Sequence, residues 1–86
     1  MNLWAVMAVG EGFAHLDGTA SFELYGVVSA ADANAALDKA VDLAVQRWPE
    51  IAQGREGNGA VINAEEVSEV TLTPGMEVDV VDVSWM

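Results

Sequence analysis

Few side chains in this sequence have types and spacing that suggest a reaction. A hydrolase of the serine type needs a nucleophile, a histidine to take its proton and an acid to orient that histidine. The single histidine, His15, has Asp17 two residues on, with Thr19 and Ser21 close behind. Residues of equal parity project from one face of a strand, so the grouping has the right ingredients. Its setting argues otherwise: Asp17-Gly18 between two strand-like runs is a strong hairpin signal, and a histidine beside such a turn is a solvated turn residue. No catalytic residue is assigned.

Carboxylates are plentiful, with fourteen acids in 86 residues. That number raises paired-acid glycoside hydrolysis and hard-cation binding. Glu77, Asp79 and Asp82 fall on one expected strand, and Glu65, Glu66 and Glu69 on its neighbour. A calcium loop wraps oxygens round the ion, whereas acids alternating along a strand do not wrap. They read first as gatekeepers that stop an edge strand from pairing with strangers. A domain this small also offers little cleft for a sugar. With no cysteine and one histidine, no metal or cofactor is expected.

Two glycine-rich stretches complete the candidates. Gly10-Glu11-Gly12 is followed by more strand rather than a helix, which points to a bulge or sharp bend instead of a phosphate cradle. Gln53 to Gly59 lacks the spacing and the Lys-Ser/Thr of a nucleotide loop, and a strand follows it. It reads as a flexible surface connection.

The element that would organise any site is the run Ser29–Trp48, the one long stretch with helical period. Ala30, Ala33, Leu37, Ala40, Val41, Ala44, Trp48 and Ile51 share one side of the wheel. Asn34, Ala35, Asp38, Lys39, Asp42 and Gln46 share the other. Such an amphipathic helix needs a surface to cover. Ser29 is the expected N-cap, with Asp32 three residues on, and Trp48-Pro49 marks the end.

Strands surround it. Leu3–His15 is apolar on both parities as far as Val9. Thr19–Val28 alternates, with Phe22, Leu24, Gly26 and Val28 directed at the helix and Ser21, Glu23 and Tyr25 away from it. Ala60–Asn63 reads as a short strand, Ala64-Glu65-Glu66 as a polar turn and Val67–Thr73 as a further strand. Thr73-Pro74-Gly75-Met76 carries type II turn chemistry, and Glu77–Trp85 closes the chain.

The expectation is a single α+β domain over residues 1–86. An antiparallel sheet of four or five strands, in β-β-α-β-β-β order, has one amphipathic helix packed on one face. The order is β-β-α-β-β if Ala60–Asn63 is not independent. The periodicity leaves open which parity of the first and last strands meets the helix. Trp4, Val6, Val81, Val83 and Trp85 are the candidates for the uncovered face. Two tryptophans and three valines make a patch of the kind that buries against a second copy.

Composition bounds the partners. The net charge is −11, and residues 1–29 and 60–86 hold nine acids with no lysine or arginine. Phosphate neutralisation, and so direct nucleic-acid binding, is not expected, nor is docking on an anionic membrane. Leu3–Val9 has no basic residue before it and is too short to span, so a cytoplasmic protein is expected. A chain this short buries only about 60–65% of its unfolded surface. With 52% apolar residues, association is the natural remedy. The first functional expectation is a non-enzymatic interaction module that forms a homodimer through its uncovered face. The alternative is an acidic inhibitor, immunity or antitoxin-like protein that binds a basic site on a partner protein. A small-ligand binder or enzyme comes third.

Overall fold

Strand β1 (Asn2–His15) folds back on β2 (Gly18–Ala30) as an antiparallel hairpin. Helix α1 (Ala33–Arg47) and the short α2 (Glu50–Arg55) follow, then β3 (Val61–Val70) and β4 (Val80–Trp85). The computed structural model describes residues 2–15, 18–55 and 60–85. Its sheet has the order β3-β1-β2-β4, with every neighbouring pair antiparallel. The main helix lies against one face, so the class is the expected α+β.

The sheet has four strands because β3 runs straight through the expected polar turn. Met7 stands opposite Glu66 and Ala8 opposite Ala64. Glu65 is thus the extra residue of a bulge, and no chain reversal occurs there. The last strand starts at Val80 rather than Glu77. The Thr73–Met76 turn forms as expected, with Met76 N–H donating to Thr73 O at 3.1 Å and Gly75 at φ 83°. α2 extends to Arg55 where a loop was expected from Gln53. Residues 56–59 of that loop lie outside the described residues.

The N-cap is Asp32, not Ser29. Asp32 Oδ1 accepts from Ala35 N–H at 2.8 Å, while Ser29 and Ala30 remain in β2, where Ala30 pairs with Asn2. Strand pairing therefore holds the chain extended beyond the residue that local capping preference selects. At the other end the Trp48 N–H donates to Ala44 O and Pro49 prevents continuation.

Ala36, Ala40 and Ala44 are the fully buried positions of α1. Small side chains let the helix backbone come close to β2. Leu37, Leu43 and Trp48 pack around this seam, only partly covered. Beneath it lie Val6, Ala8, Leu24, Val28 and Val81. At one end Phe13, Phe22 and Trp85 stack edge to face, with centroids 5.0 and 5.1 Å apart. Gly10 is needed here, because a Cβ on it would run into the Phe22 ring. Gly26 belongs to the parity expected to face the helix, where a missing side chain would make room for it. It makes room for β4 instead, since a Cβ would meet Val80 O and the Val81 side chain at 2.5 Å.

Candidate interaction surface

The five residues expected on the uncovered face are on the covered one. Val6 and Val81 are 0% and 1% exposed, and Trp4, Val83 and Trp85 pack against the same core. Trp4 Nε1 donates to Ala30 O at 3.1 Å. Register explains the placement. Trp4 and Val6 stand opposite Val28 and Gly26, and Val81, Val83 and Trp85 opposite Gly26, Leu24 and Phe22. Directly paired residues share a face, so the helix-facing parity of β2 fixes both neighbours.

The uncovered face is consequently built by the opposite parity. Leu3, Ala5, Met7 and Val9 run along β1, flanked by Tyr25 and Val27 on β2 and Val80 on β4. Tyr25 is 52% and Met7 44% exposed, and they stand opposite each other across β1 and β2. Around this strip stand carboxylates. Glu23 pairs with Val9, Glu66 with Met7 and Glu11 with Val61. Glu65, thrown out by the bulge, lines a depression of ≈ 230 Å³ with Met7, Val9, Glu23 and Tyr25. Asp82 stands opposite Tyr25.

Among the described side chains neither lysine nor arginine stands on this face. Arg47, from α1, lies 4.6 Å over the Trp48 ring and donates to Val81 O at 3.3 Å. It reaches Asp82 at 3.7 Å across two exposed side chains. Lys39, two turns earlier on α1, is engaged elsewhere.

That engagement fastens residues 71–79, which cross one end of the sheet from β3 to β4. The outermost strands are about 14 Å apart at the usual spacing, and nine residues reach about twice as far, so this strap has slack. Its last residue, Asp79, adopts φ 62° and donates its N–H to Val27 O at 2.7 Å. Its carboxylate accepts from the Ser29 N–H at 2.9 Å and from the Ser29 hydroxyl. The side chain thereby extends the ladder where β4 has not yet begun. Lys39 Nζ lies 3.0 Å from Asp79 Oδ1 and donates to Ser29 O and Oγ. Partial burial acts to raise the Asp79 pKa. The Ser29 N–H, the Lys39 ammonium and the Ser29 hydroxyl outweigh it and hold the carboxyl below its ordinary value.

A serine hydroxyl 3.0 Å from a lysine also has the parts of a nucleophile and base. Here the hydroxyl donates to Asp79 and Ser29 does not line the neighbouring cavity, so the cluster is a fastening. The sequence reasoning missed it because fifty residues separate Ser29 from Asp79. Of the earlier hydrolase candidates, Asp17 and the side chains of His15 and Thr19 lie outside the described residues. The carboxylates on β3 and the strap do not converge: among the described residues no three metal-ligating side chains gather in one place. No described helix is long and apolar enough to cross a membrane.

A concavity of ≈ 470 Å³ is lined by Tyr25, Val80 and Asp82 from the sheet and by Pro74, Met76 and Glu77 from the strap. No family model matches the chain, and neither a curated protein nor a solved structure does.

Proposed function

We propose that the protein is a non-enzymatic interaction module that sets its uncovered sheet face against a basic, partly apolar site on a partner protein, in the manner of an acidic inhibitor or immunity protein. One observation carries this: an apolar strip through Met7 and Tyr25 is edged by Glu11, Glu23, Glu65, Glu66 and Asp82, while the described cations Lys39 and Arg47 are engaged from α1. A partner with basic residues around an apolar centre gains on both counts, and its charges speed encounter.

The homodimer is the second reading, favoured by the exposure of Met7 and Tyr25. Charge opposes it in this geometry. Two such faces in contact would bring glutamates of one copy against those of the other. Each like pair about 8 Å apart costs about 2 kcal/mol at an effective dielectric of 20. The central strip gives back roughly 25 cal/mol per Å², so a few such pairs cancel it.

The test uses a synthetic amphipathic helical peptide of leucine and lysine, titrated by backbone-amide NMR. Met7→Asp and Glu23→Lys alter the face, and Asp38→Lys reverses a charge on the outer side of α1. Binding that weakens as salt rises, falls about tenfold or more in the two face variants and survives Asp38→Lys is the expected result. Equal losses in all three variants would reduce the effect to general acidity and overturn the proposal. Light scattering across a salt series separates the second reading, since a dimer through this face strengthens with salt.

A further inference from the structure

We infer that the cavity between Tyr25 and the strap is an anchor for one arginine side chain of the partner. This rests on the proposed role of the uncovered face and adds where on that face the decisive contact falls.

The lining selects the ligand. Carboxylates of Glu77 and Asp82 exclude an anion. A divalent metal ion wants several oxygens wrapped about it, and no such group is gathered among the described residues. An uncharged apolar group would cover Met76 and Val80 but leave two carboxylates facing it. What satisfies both halves is a cation on an apolar stem, its methylenes along Met76 and Val80 and its head between the acids. The half-exposed Tyr25 ring favours guanidinium over ammonium, because a planar, weakly hydrated cation stacks on an aromatic face. The molecule already uses this combination once: the Arg47 guanidinium lies over Trp48 and reaches Asp82. Asp82 is held only loosely there, at 3.7 Å, so Glu77 is the freer acceptor.

The position also suits an anchor. Tyr25 borders both this cavity and the depression beside Met7, so an arginine seated here is continuous with the apolar strip. The wall facing it is the strap, which Asp79 holds in place.

N-acetyl-argininamide is the probe, with the isosteric but uncharged N-acetyl-citrullinamide as its control. Backbone-amide shifts of Gly26, Val27, Gly75, Met76 and Glu77 are followed to about 50 mM, since one side chain alone binds in the millimolar range. Saturable shifts confined to these residues are expected with the arginine derivative and not with citrulline. Glu77→Gln and Tyr25→Leu, both at exposed positions, should each weaken binding about two- to fivefold. Asp38→Asn should leave it unchanged. Absence of saturation, equal response to citrulline, or shifts spread over every acidic surface would each overturn the anchor. The leucine–lysine peptide, remade with arginine in place of lysine, tells the two ideas apart. If it binds the face in a Met7-dependent way yet ignores Glu77→Gln and Tyr25→Leu, the anchor is wrong and the face stands. If the arginine derivative fills the cavity but the peptide does not bind, the face is wrong and a small-cation site remains.

Discussion

Removing the Asp79 carboxylate should loosen the strap, and the geometry says by how much. A hydrogen bond accepted by an ionised group contributes about 1.5–3 kcal/mol, and the Ser29 N–H makes one at 2.9 Å. The Lys39 pair involves side chains 36% and 40% exposed, so solvent screening limits it to at most about 1 kcal/mol. Alanine at φ 62° adds about 1 kcal/mol that aspartate, more tolerant of the left-handed region, largely avoids. Asp79→Ala should therefore cost about 3 kcal/mol. Asp79→Asn keeps an acceptor and tolerates the same φ, so it loses mainly the charge, about 1 kcal/mol. For a domain of this size each kcal/mol lowers Tm by about 4–8 °C.

The asparagine variant also gives a pH test. The folded pKa of Asp79 is lowered, so the carboxylate's contribution is complete above the unfolded value, near 3.9. It is lost as pH falls through the folded value. Urea unfolding followed by tryptophan fluorescence should show a constant gap between wild type and Asp79→Asn from neutral pH to about pH 5, closing below it. General relief of the −11 charge in acid acts on both proteins almost equally and drops out of the difference. A gap that does not narrow as pH falls below the unfolded value of about 3.9, or an alanine variant as stable as wild type, would refute the fastening role.

The helix seam and the aromatic end provide two more checks by the same unfolding assay. Ala40→Leu adds bulk where α1 meets the sheet with 0% exposure and should cost about 1–3 kcal/mol or more. Leu37→Ala, at a half-covered position, should cost less than the 2–5 kcal/mol typical of a buried leucine; a neutral Ala40→Leu together with a full buried-leucine cost at Leu37 would mean the helix is rotated from this placement. Gly10→Ala should destabilise by about 1–3 kcal/mol and disturb the near-ultraviolet signal of the aromatic cluster, because its methyl would occupy the Phe22 ring. A neutral result would remove Phe22 from that position.

The sequence carried most of the architecture but misassigned the two faces of the sheet, and on β1 the cause is a single residue. Pairing outward from the hairpin sets His15 opposite Gly18, Ala14 opposite Thr19 and Phe13 opposite Ala20. Continued without interruption, that register would place Val9 against Leu24 and Ala5 against Val28. The bulge between Gly10 and Phe13, with Gly12 at φ 76°, slips it by one, so Ala8 meets Leu24 and Trp4 meets Val28. A one-residue slip exchanges the faces of a whole strand. The bulge was legible from the paired glycines and the inward parity of β2 from its alternation. Combining them would have put Trp4 and Val6 under the helix. The bulge at Glu65 hid in the same way, because two glutamates after an alanine look like a turn to any local rule. The Asp79 fastening had no local signal: it depends on which carboxylate the strap delivers beside Ser29.

With the tryptophans inside, the way the edges are managed narrows where a partner can go. Strand addition needs an edge with free N–H and C=O groups. On β4 the Arg47 guanidinium occupies the carbonyl of Val81 and the strand is only six residues long. On β3 the bulge at Glu65 interrupts the ladder, and Glu65, Glu66 and Glu69 load the edge with charge. Both edges are thus poor templates for another chain. The helix covers one face, which leaves the face of Met7 and Tyr25, among the described residues, open as an apolar surface. Its acids are spaced about that strip rather than gathered to one point, an arrangement suited to many cationic groups of one large surface and ill suited to a single ion. Recognition by face contact also predicts a dependence on side chains rather than on strand register, which is why Met7→Asp, a change with no effect on backbone pairing, should separate this mode from strand addition.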